Sequence, residues 1–318
     1  MPNHVAPMGE CFELEAGIGG RSQRATVTET GGTLRALSVD GISLVQDYPA
    51  DSAAPFSAGW NLVPWPNRVA GGTWTHEGTT QRLPINEPER GHALHGLLAD
   101  AAYRLVEQTP ASLTLAADLR PQEGYPFELS TSVRYELHQD GLRVTHRLTN
   151  IGQRKAPVAV GTHPYLRLGE VPTEELKLVI NADSHLEVDG VLIPTGEITA
   201  VHGTPRDYRA GQILGPMALD DVWTDFQRDV DGGSVHYLEA PDGSRVEMAM
   251  DAAFGYIQVY TTSDFPSADG NVNAVAMEPM TAPADAFNNG MGLRWLEPGG
   301  SWDVGWGIRH RRAPQEQE

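Results

Sequence analysis

Apolar and polar residues alternate with a period of two along much of the chain, and this pattern predicts β-strands. Several alternating runs are separated by Asp-Gly pairs, which supply the positive φ angles of a tight hairpin turn. These pairs stand at 40–41, 140–141, 189–190 and 242–243. The pattern therefore predicts hairpin after hairpin, with neighbouring strands running antiparallel.

Helical periodicity is scarce, and 34 glycines and 23 prolines interrupt the chain too often for long helices. We expect a mainly β fold, a large and largely antiparallel sandwich. Segments 49–57, 263–271 and 284–290 are expected to be loops. No linker or fixed repeat divides the sequence, so one domain over 1–318 is predicted, with its core at about 10–309 and a polar tail at 310–318.

Composition and charge narrow the class of partner. The chain has 318 residues, 40% of them hydrophobic, and a formal net charge of −19. Such a charge repels phosphates, which argues against nucleic acid or an anionic membrane and favours a neutral small molecule. Cys11 is the only cysteine, and neither a signal peptide nor a membrane-length apolar run is found. A cytoplasmic location is the resulting expectation.

Four segments depart from simple alternation and place ionisable residues among Gly, Pro and aromatics. They are Asn61–Trp74, Asn86–Leu97, Gly161–Leu166 and Met277–Trp306. This mixture suits loops at a sandwich face, where hydrogen bonds and an apolar surface bind a polar ring. Each segment taken alone also fits turn chemistry beside an aromatic core.

Together these segments carry a family resemblance that covers nearly the whole chain. The motifs are PWPNR ending at Arg68, NEPERGHALHG with His92 and His95, THPY with His163, LDDVW at 219–223, and EPMT at 278–281 followed by AFN at 286–288. The sequence resembles the aldose 1-epimerase (galactose mutarotase) family. The resemblance implies a galactose-mutarotase-like β-supersandwich with a ligand groove across it.

The resemblance also implies roles for individual residues. His163 would be the general acid and Glu278 the general base, while Arg68, His95 and Asp220 would orient the sugar. Asp221, beside Asp220, is an alternative ligand-facing carboxylate. The chain departs from many relatives at Ala282, where they carry a cysteine.

The chemistry of anomer exchange fits this pair. One group takes the proton from O1 of a hemiacetal while another protonates the ring oxygen, so that the ring opens, C1–C2 rotates and the ring closes again. An ionised glutamate and a protonated histidine can do this near neutral pH, with no cofactor and no metal. Neighbouring carboxylates favour the imidazolium, and burial opposes it.

These residues also allow other interpretations. His92, His95 and His163 could form a metal site, although their spacing differs from that of cupins. Trp223 could stack on the sugar or pack in the core, and the same holds for Trp65 and Trp302. The leading hypothesis is a hexose 1-epimerase. A hexose-6-phosphate epimerase would require a basic cluster that the four segments lack, and a non-catalytic sugar-binding protein of the same fold would not require His163 and Glu278.

Overall fold

A computed structural model describes residues 7–49, 51–216, 218–268 and 270–313. Strands are numbered β1 to β27 in chain order. Every pair of neighbouring strands in the described sheets is antiparallel, as the hairpin pattern predicts. The first sheet has four strands in chain order, β1 (Cys11–Ile18), β2 (Arg21–Thr28), β3 (Leu34–Val39) and β4 (Ile42–Ser43).

Two larger sheets form the body of the molecule. The nine-stranded sheet has the order β10 (Arg104–Gln108), β11 (Ser112–Leu119), β12 (Leu129–His138), β13 (Gly141–Asn150), β27 (Ser301–Arg311), β23 (Arg245–Met250), β22 (Ser234–Glu239), β17 (Lys177–Val179) and β20 (Gln212–Ile213). The eight-stranded sheet has the order β19 (Pro194–Ala200), β18 (Ala182–Val188), β21 (Asp220–Phe226), β24 (Tyr256–Ser267), β25 (Gly270–Met280), β15 (Gly161–Thr162) and β5 (Asn61–Leu62), and β16 (Tyr165–Leu166) also pairs with β25.

Smaller elements complete the described chain. Three two-stranded ladders pair β14 (Ala156–Val158) with β26 (Arg294–Leu296), β6 (Arg68–Val69) with β9 (Ala93–Leu94), and β7 (Thr73–His76) with β8 (Thr79–Arg82). The α-helix of the described chain is α1 (Ala286–Asn289), and 3-10 turns lie at Pro55–Ser57, Ala70–Gly72 and Thr173–Glu175. Among the described residues, no helix has the length and apolar character needed to cross a membrane. The predicted mainly β, largely antiparallel sandwich is confirmed.

The largest hydrophobic cluster of the described residues takes side chains from both large sheets and from the first sheet. Along β12 the burial alternates strictly, with Leu129, Val133 and Tyr135 inside. Trp223 and Ile257 of the eight-stranded sheet belong to the same core cluster. Strand β25 is different, because its residues from Ala274 onwards are buried on both faces. Other segments of the protein therefore cover the second face of β25, and the candidate site lies on that face.

The hairpin predictions are confirmed, with small shifts. Strands β3 and β4 join at Asp40-Gly41, and both residues have positive φ angles, of 53° and 77°. The β12–β13 hairpin turns at Gln139-Asp140, since His138 pairs with Gly141. The predicted loop at 263–271 is wrong in part, because β24 and β25 continue through it as a hairpin.

Sheet pairing extends into the predicted polar tail. Strand β27 runs through Arg311, where it pairs with Arg245 of β23, and His310 is buried. Sequence composition suggested a tail because these residues are polar, but sheet pairing satisfies their backbone groups. Residues 314–318 of that predicted tail lie outside the described residues.

Candidate active site

His163 and Glu278 form the centre of a buried polar cluster. Nε2 of His163 lies 3.2 Å from Oε1 of Glu278, and only 7% and 3% of the two side chains are exposed. Among the described residues, Nδ1 of His163 and Oε2 of Glu278 are buried without a hydrogen-bond partner. Buried polar atoms are usually paired, so two unpaired atoms on contacting side chains leave hydrogen-bonding capacity for a ligand.

Strand pairing brings these two residues together. Segment 161–166 runs antiparallel to β25, with Gly161 opposite Met280 and Tyr165 opposite Ala276. His163 lies midway between these pairs, directly across from Glu278. Gly161 allows the close approach, because a Cβ there would stand 2.6 Å from a side-chain carbon of Pro66.

Burial sets the proton affinities of the pair. It lowers the pKa of His163 to about 4. It raises the pKa of Glu278 well above the usual range, with the charge of Asp220 acting in the same direction. Of the two opposing effects expected from the sequence, burial is therefore the larger cause at His163. The two groups compete for one proton across a 3.2 Å contact.

His95 is held beside this pair in a fixed tautomer. Its ring Nδ1 accepts the backbone N–H of Asn67 at 3.2 Å, and the backbone N–H of His95 donates to the Asn67 carbonyl at 3.0 Å. Burial lowers the pKa of His95 well below its ordinary value, so the ring is neutral. Its remaining proton is therefore on Nε2, which can donate to a ligand. Both residues have positive φ angles, 63° at His95 and 56° at Asn67, a strain typical of functional sites.

Arg68 enters the site from β6 with one edge already bound. Its Nε and Nη2 each donate to Glu87, both at 2.8 Å, and both side chains are buried. Burial alone disfavours the charged guanidinium, but the bonds to Glu87 and the charge of Asp220 outweigh it, so the pKa of Arg68 rises. Its Nη2 lies 3.8 Å from Oδ2 of Asp220.

Asp220, rather than Asp221, faces the cluster. In β21 it pairs with Tyr260, and Oδ1 accepts a 2.6 Å hydrogen bond from Nε2 of Gln258. Asp221 points to the opposite face, where it accepts hydrogen bonds from Nε2 of His185 and Nε of Arg206. Burial raises the pKa of Asp220 despite the opposing charge of Arg68. Alternation along the strand thus resolves the choice between the two carboxylates.

The hypothesis that Trp223 contacts the ligand is wrong. Its side chain is 1% exposed and lies in the central core, and its Nε1 donates to the carbonyl of Arg206 at 3.0 Å. It occupies the face of β21 opposite Asp220, because the two residues are three apart on a strand of period two. Trp65 is likewise buried in the core.

The histidines do not assemble as the proposed His92, His95 and His163 metal site. His92 uses Nδ1 to accept the N–H of Gly71, and its Nε2 lies 3.2 Å from the Val191 carbonyl, so both ring nitrogens have backbone partners. Among the described residues, the group that could hold a metal is His95, His163 and Glu278, with ligand atoms within 4.8 Å of one another. Two histidines and one carboxylate can bind Zn²⁺, so a metal test belongs with any activity assay.

Three residues near the cluster were not singled out from the sequence. Gln258 links the site, as it accepts from Nδ2 of Asn67 at 3.3 Å and donates to Asp220. Glu87 binds Arg68. Neither Gln258 nor Asn67 carries a charge that would mark it in the sequence. Gln258 lies in an ordinary strand, and only its cross-strand pairing with Glu278 identifies it as a residue of the site.

Surface clefts also lie elsewhere on the described molecule. One of about 800 Å³ lies beside Arg35 and Arg167, and one of about 590 Å³ lies on the outer face of the nine-stranded sheet, beside Trp306. His95, His163 and Glu278 line neither of them. The candidate site is therefore identified by its chemistry, not by cavity size.

Comparison with known proteins identifies the class. The model of the aldose 1-epimerase family matches residues 13–308. The chain belongs to the aldose 1-epimerase family. Every residue of the cluster lies within the matched range.

Sequence relatives match very different shares of this chain. The Escherichia coli K12 protein YihR, which is described as uncharacterized, is 32% identical over 292 residues, covering 92% of this chain and 90% of that protein. Galactose mutarotase of Bos taurus is 36% identical over 157 residues, but the match covers 47% of this chain and 44% of that enzyme. The similarity to named mutarotases thus spans about half of each protein.

Solved structures agree on the fold. A galactose mutarotase-like protein from Clostridium acetobutylicum superposes with a TM-score of 0.82 at 20% identity, covering 95% of both chains. The GalM/aldose epimerase homologue from C. elegans gives a TM-score of 0.81 at 21% identity, covering 96% of this chain and 100% of that one.

Proposed function

We propose that this protein is an isomerase that interconverts the α and β anomers of a free aldose, such as galactose or glucose. The observation that carries the proposal is the buried His163–Glu278 contact at 3.2 Å, in a chain of the aldose 1-epimerase family. A cytoplasmic location stays a prediction from the sequence.

The mechanism follows from the single proton that the pair shares. Ring opening requires the tautomer with the shared proton on His163, whereas the order of the two pKa values favours Glu278 as its holder in the free site. From that tautomer His163 donates the proton to the ring oxygen while Glu278 takes the proton from O1. After opening, the proton is on Glu278. Rotation about C1–C2 and the reverse transfer close the ring as the other anomer, so the pair returns to its starting state. A lowered histidine pKa and a raised glutamate pKa make these transfers less uphill than they would be in water.

The neighbouring groups orient the sugar in this proposal. His95 donates from Nε2, Asp220 accepts from a hydroxyl, and Arg68 donates from the edge of its guanidinium that Glu87 does not bind. These groups are fixed by the protein before the ligand arrives, which reduces the entropy lost on binding.

The charges favour a neutral sugar over a hexose 6-phosphate. The guanidinium of Arg68 is already paired with Glu87, and the carboxyls of Asp220 and Glu278 are close enough for the charge of one to act on the other. A phosphate dianion requires an excess of positive charge, usually from several basic groups. The partial charges here suit hydroxyl groups instead.

Anomer exchange of a panel of free aldoses tests the proposal, by NMR saturation transfer with the spontaneous rate subtracted. We expect acceleration with no added cofactor, and dialysis against EDTA should leave the rate unchanged. Loss of activity on chelation, restored by one divalent metal, would support the metal reading of His95, His163 and Glu278. Sugar binding without any acceleration would support a non-catalytic sugar-binding protein.

A further inference from the structure

Arg68, which orients the sugar in the proposed function, forms a buried ion pair with Glu87. Glu87 is 4% exposed and binds two donors on the same edge of the guanidinium. Bidentate pairing of this kind fixes the plane of an arginine as well as its position. Nη2 of Arg68, which donates to Oε1 of Glu87, also lies 3.8 Å from Oδ2 of Asp220.

The loop that carries Glu87 is itself held firmly. The Glu87 carbonyl accepts the N–H of Gly91 at 2.8 Å, and Asn86 and Leu94 exchange two hydrogen bonds across the loop. Arg90 also donates to Oε1 of Glu87, at 3.1 Å, but its side chain is 38% exposed. The buried partner of Glu87 is therefore Arg68.

We propose that Glu87 is a positioning residue of the site: its carboxylate fixes the orientation of Arg68 and offsets the charge of that guanidinium beside Glu278. This inference rests on the proposed function, in which Arg68 orients the sugar and Glu278 is the base.

The sign of the electrostatic effect follows from the groups around Glu278. Asp220 on β21 disfavours its charged form, whereas Arg68 on β6 favours it. Three other titratable groups face Glu278. His163 and Tyr165 lie in segment 161–166, and His95 follows β9. Without the charge of Glu87, Arg68 acts unopposed, and every proton bound by the His163–Glu278 pair is held less tightly.

Glu87→Gln tests the inference, because it keeps the shape of the side chain and removes its charge. We expect KM for the sugar to rise on the order of tenfold or more, since Arg68 loses a charged hydrogen-bond partner. The pH profile of kcat/KM should move to lower pH by roughly half to one unit. Glu89→Gln removes the same charge from an exposed neighbour in the loop, and it should change neither quantity.

A second measurement does not depend on turnover. The side-chain carboxyl of Glu278 can be titrated by ¹³C NMR, with its signal assigned by its loss in Glu278→Gln. The midpoint should fall in Glu87→Gln and stay at the wild-type value in Glu89→Gln. If the wild-type protein accelerates no aldose, the proposed function fails, while this titration still decides the role of Glu87.

Glu87→Asp provides a variant that keeps the charge if Glu87→Gln does not fold. The shorter side chain cannot reach both donors, so KM should rise while the pH profile stays in place. Folded Glu87→Gln with the wild-type KM and an unshifted profile overturns the inference. So does a Glu87→Asp protein with the wild-type KM.

Discussion

Burial decides how His163 and Glu278 divide their proton. It lowers the pKa of the imidazole to about 4 and raises that of the carboxyl, so between the two pKa values the pair holds one proton. Because the groups are in contact, the apparent pKa values belong to the pair and not to either residue. Only the one-proton state can donate and accept at the same time.

A bell-shaped pH dependence of kcat/KM follows. In acid both groups are protonated and no base is left, and above the raised pKa of Glu278 the last proton is lost and no acid is left. The alkaline limb therefore does not report an isolated imidazolium, whose pKa is too low. In His163→Asn a single titrating group remains, so the bell should reduce to one limb. A bell of unchanged shape in that variant would exclude His163 as part of the pair.

Glu278→Gln separates chemistry from binding. The amide keeps the shape and hydrogen-bonding capacity of the side chain but cannot take the O1 proton. Turnover should fall on the order of 10²- to 10⁴-fold, while sugar affinity, measured by calorimetry, changes little. The double variant with His163→Asn should be scarcely slower than the poorer single variant, since the two residues act as a unit. Near-normal exchange by folded Glu278→Gln would move the base to another group such as Asp220.

The sequence predicted most of the residues that the fold assembles. His163, Glu278, Arg68, His95 and Asp220 come together from separate segments, although their roles stay predictions. The choice between Asp220 and Asp221 required the strand register, which no local pattern fixes. Gln258 was missed for the same reason, because its position opposite Glu278 is a property of the β24–β25 pairing.

Among the strands and hairpins, prediction succeeded where the signal was local. Asp40-Gly41 forms its tight turn because both residues adopt positive φ. It failed where tertiary pairing overrides composition, as at 263–271 and at His310. The polar residues there suggested loops, but sheet pairing places them in strands.

The two faces of strand β21 are expected to act differently, the Trp223 face on stability and the Asp220 face on sugar binding. Trp223→Ala should lower the free energy of unfolding by about 3 to 5 kcal/mol, because it removes a large core side chain. Trp223→Phe should lower it less and leave KM for the sugar unchanged. Urea denaturation and kinetics measure the two effects. Trp302→Ala is the control, since Trp302 is only half-buried and should lose less stability. A raised KM with full stability in Trp223→Phe would return this side chain to the site.

The connectivity of the nine-stranded sheet joins strand β27 to strands from the middle of the chain. Strand β27, near the C-terminus, lies between β13 and β23 and pairs with both along most of its length. The eight-stranded sheet likewise combines strands from Asn61 to Met280. No cut in the described chain separates these sheets into two halves that each keep their strands paired.

Limited proteolysis tests the prediction of a single domain. Protease should trim the ends and can also nick exposed hairpin loops, such as that at Val230, which is fully exposed. Nicked fragments should stay associated during gel filtration, because β27 pairs with strands on both sides of such a cut. They should also unfold together in one cooperative transition, since both large sheets share one core. Truncation before Ser301 removes β27 and should abolish folding. A half-molecule that separates under native conditions and stays folded would show that the chain contains two domains.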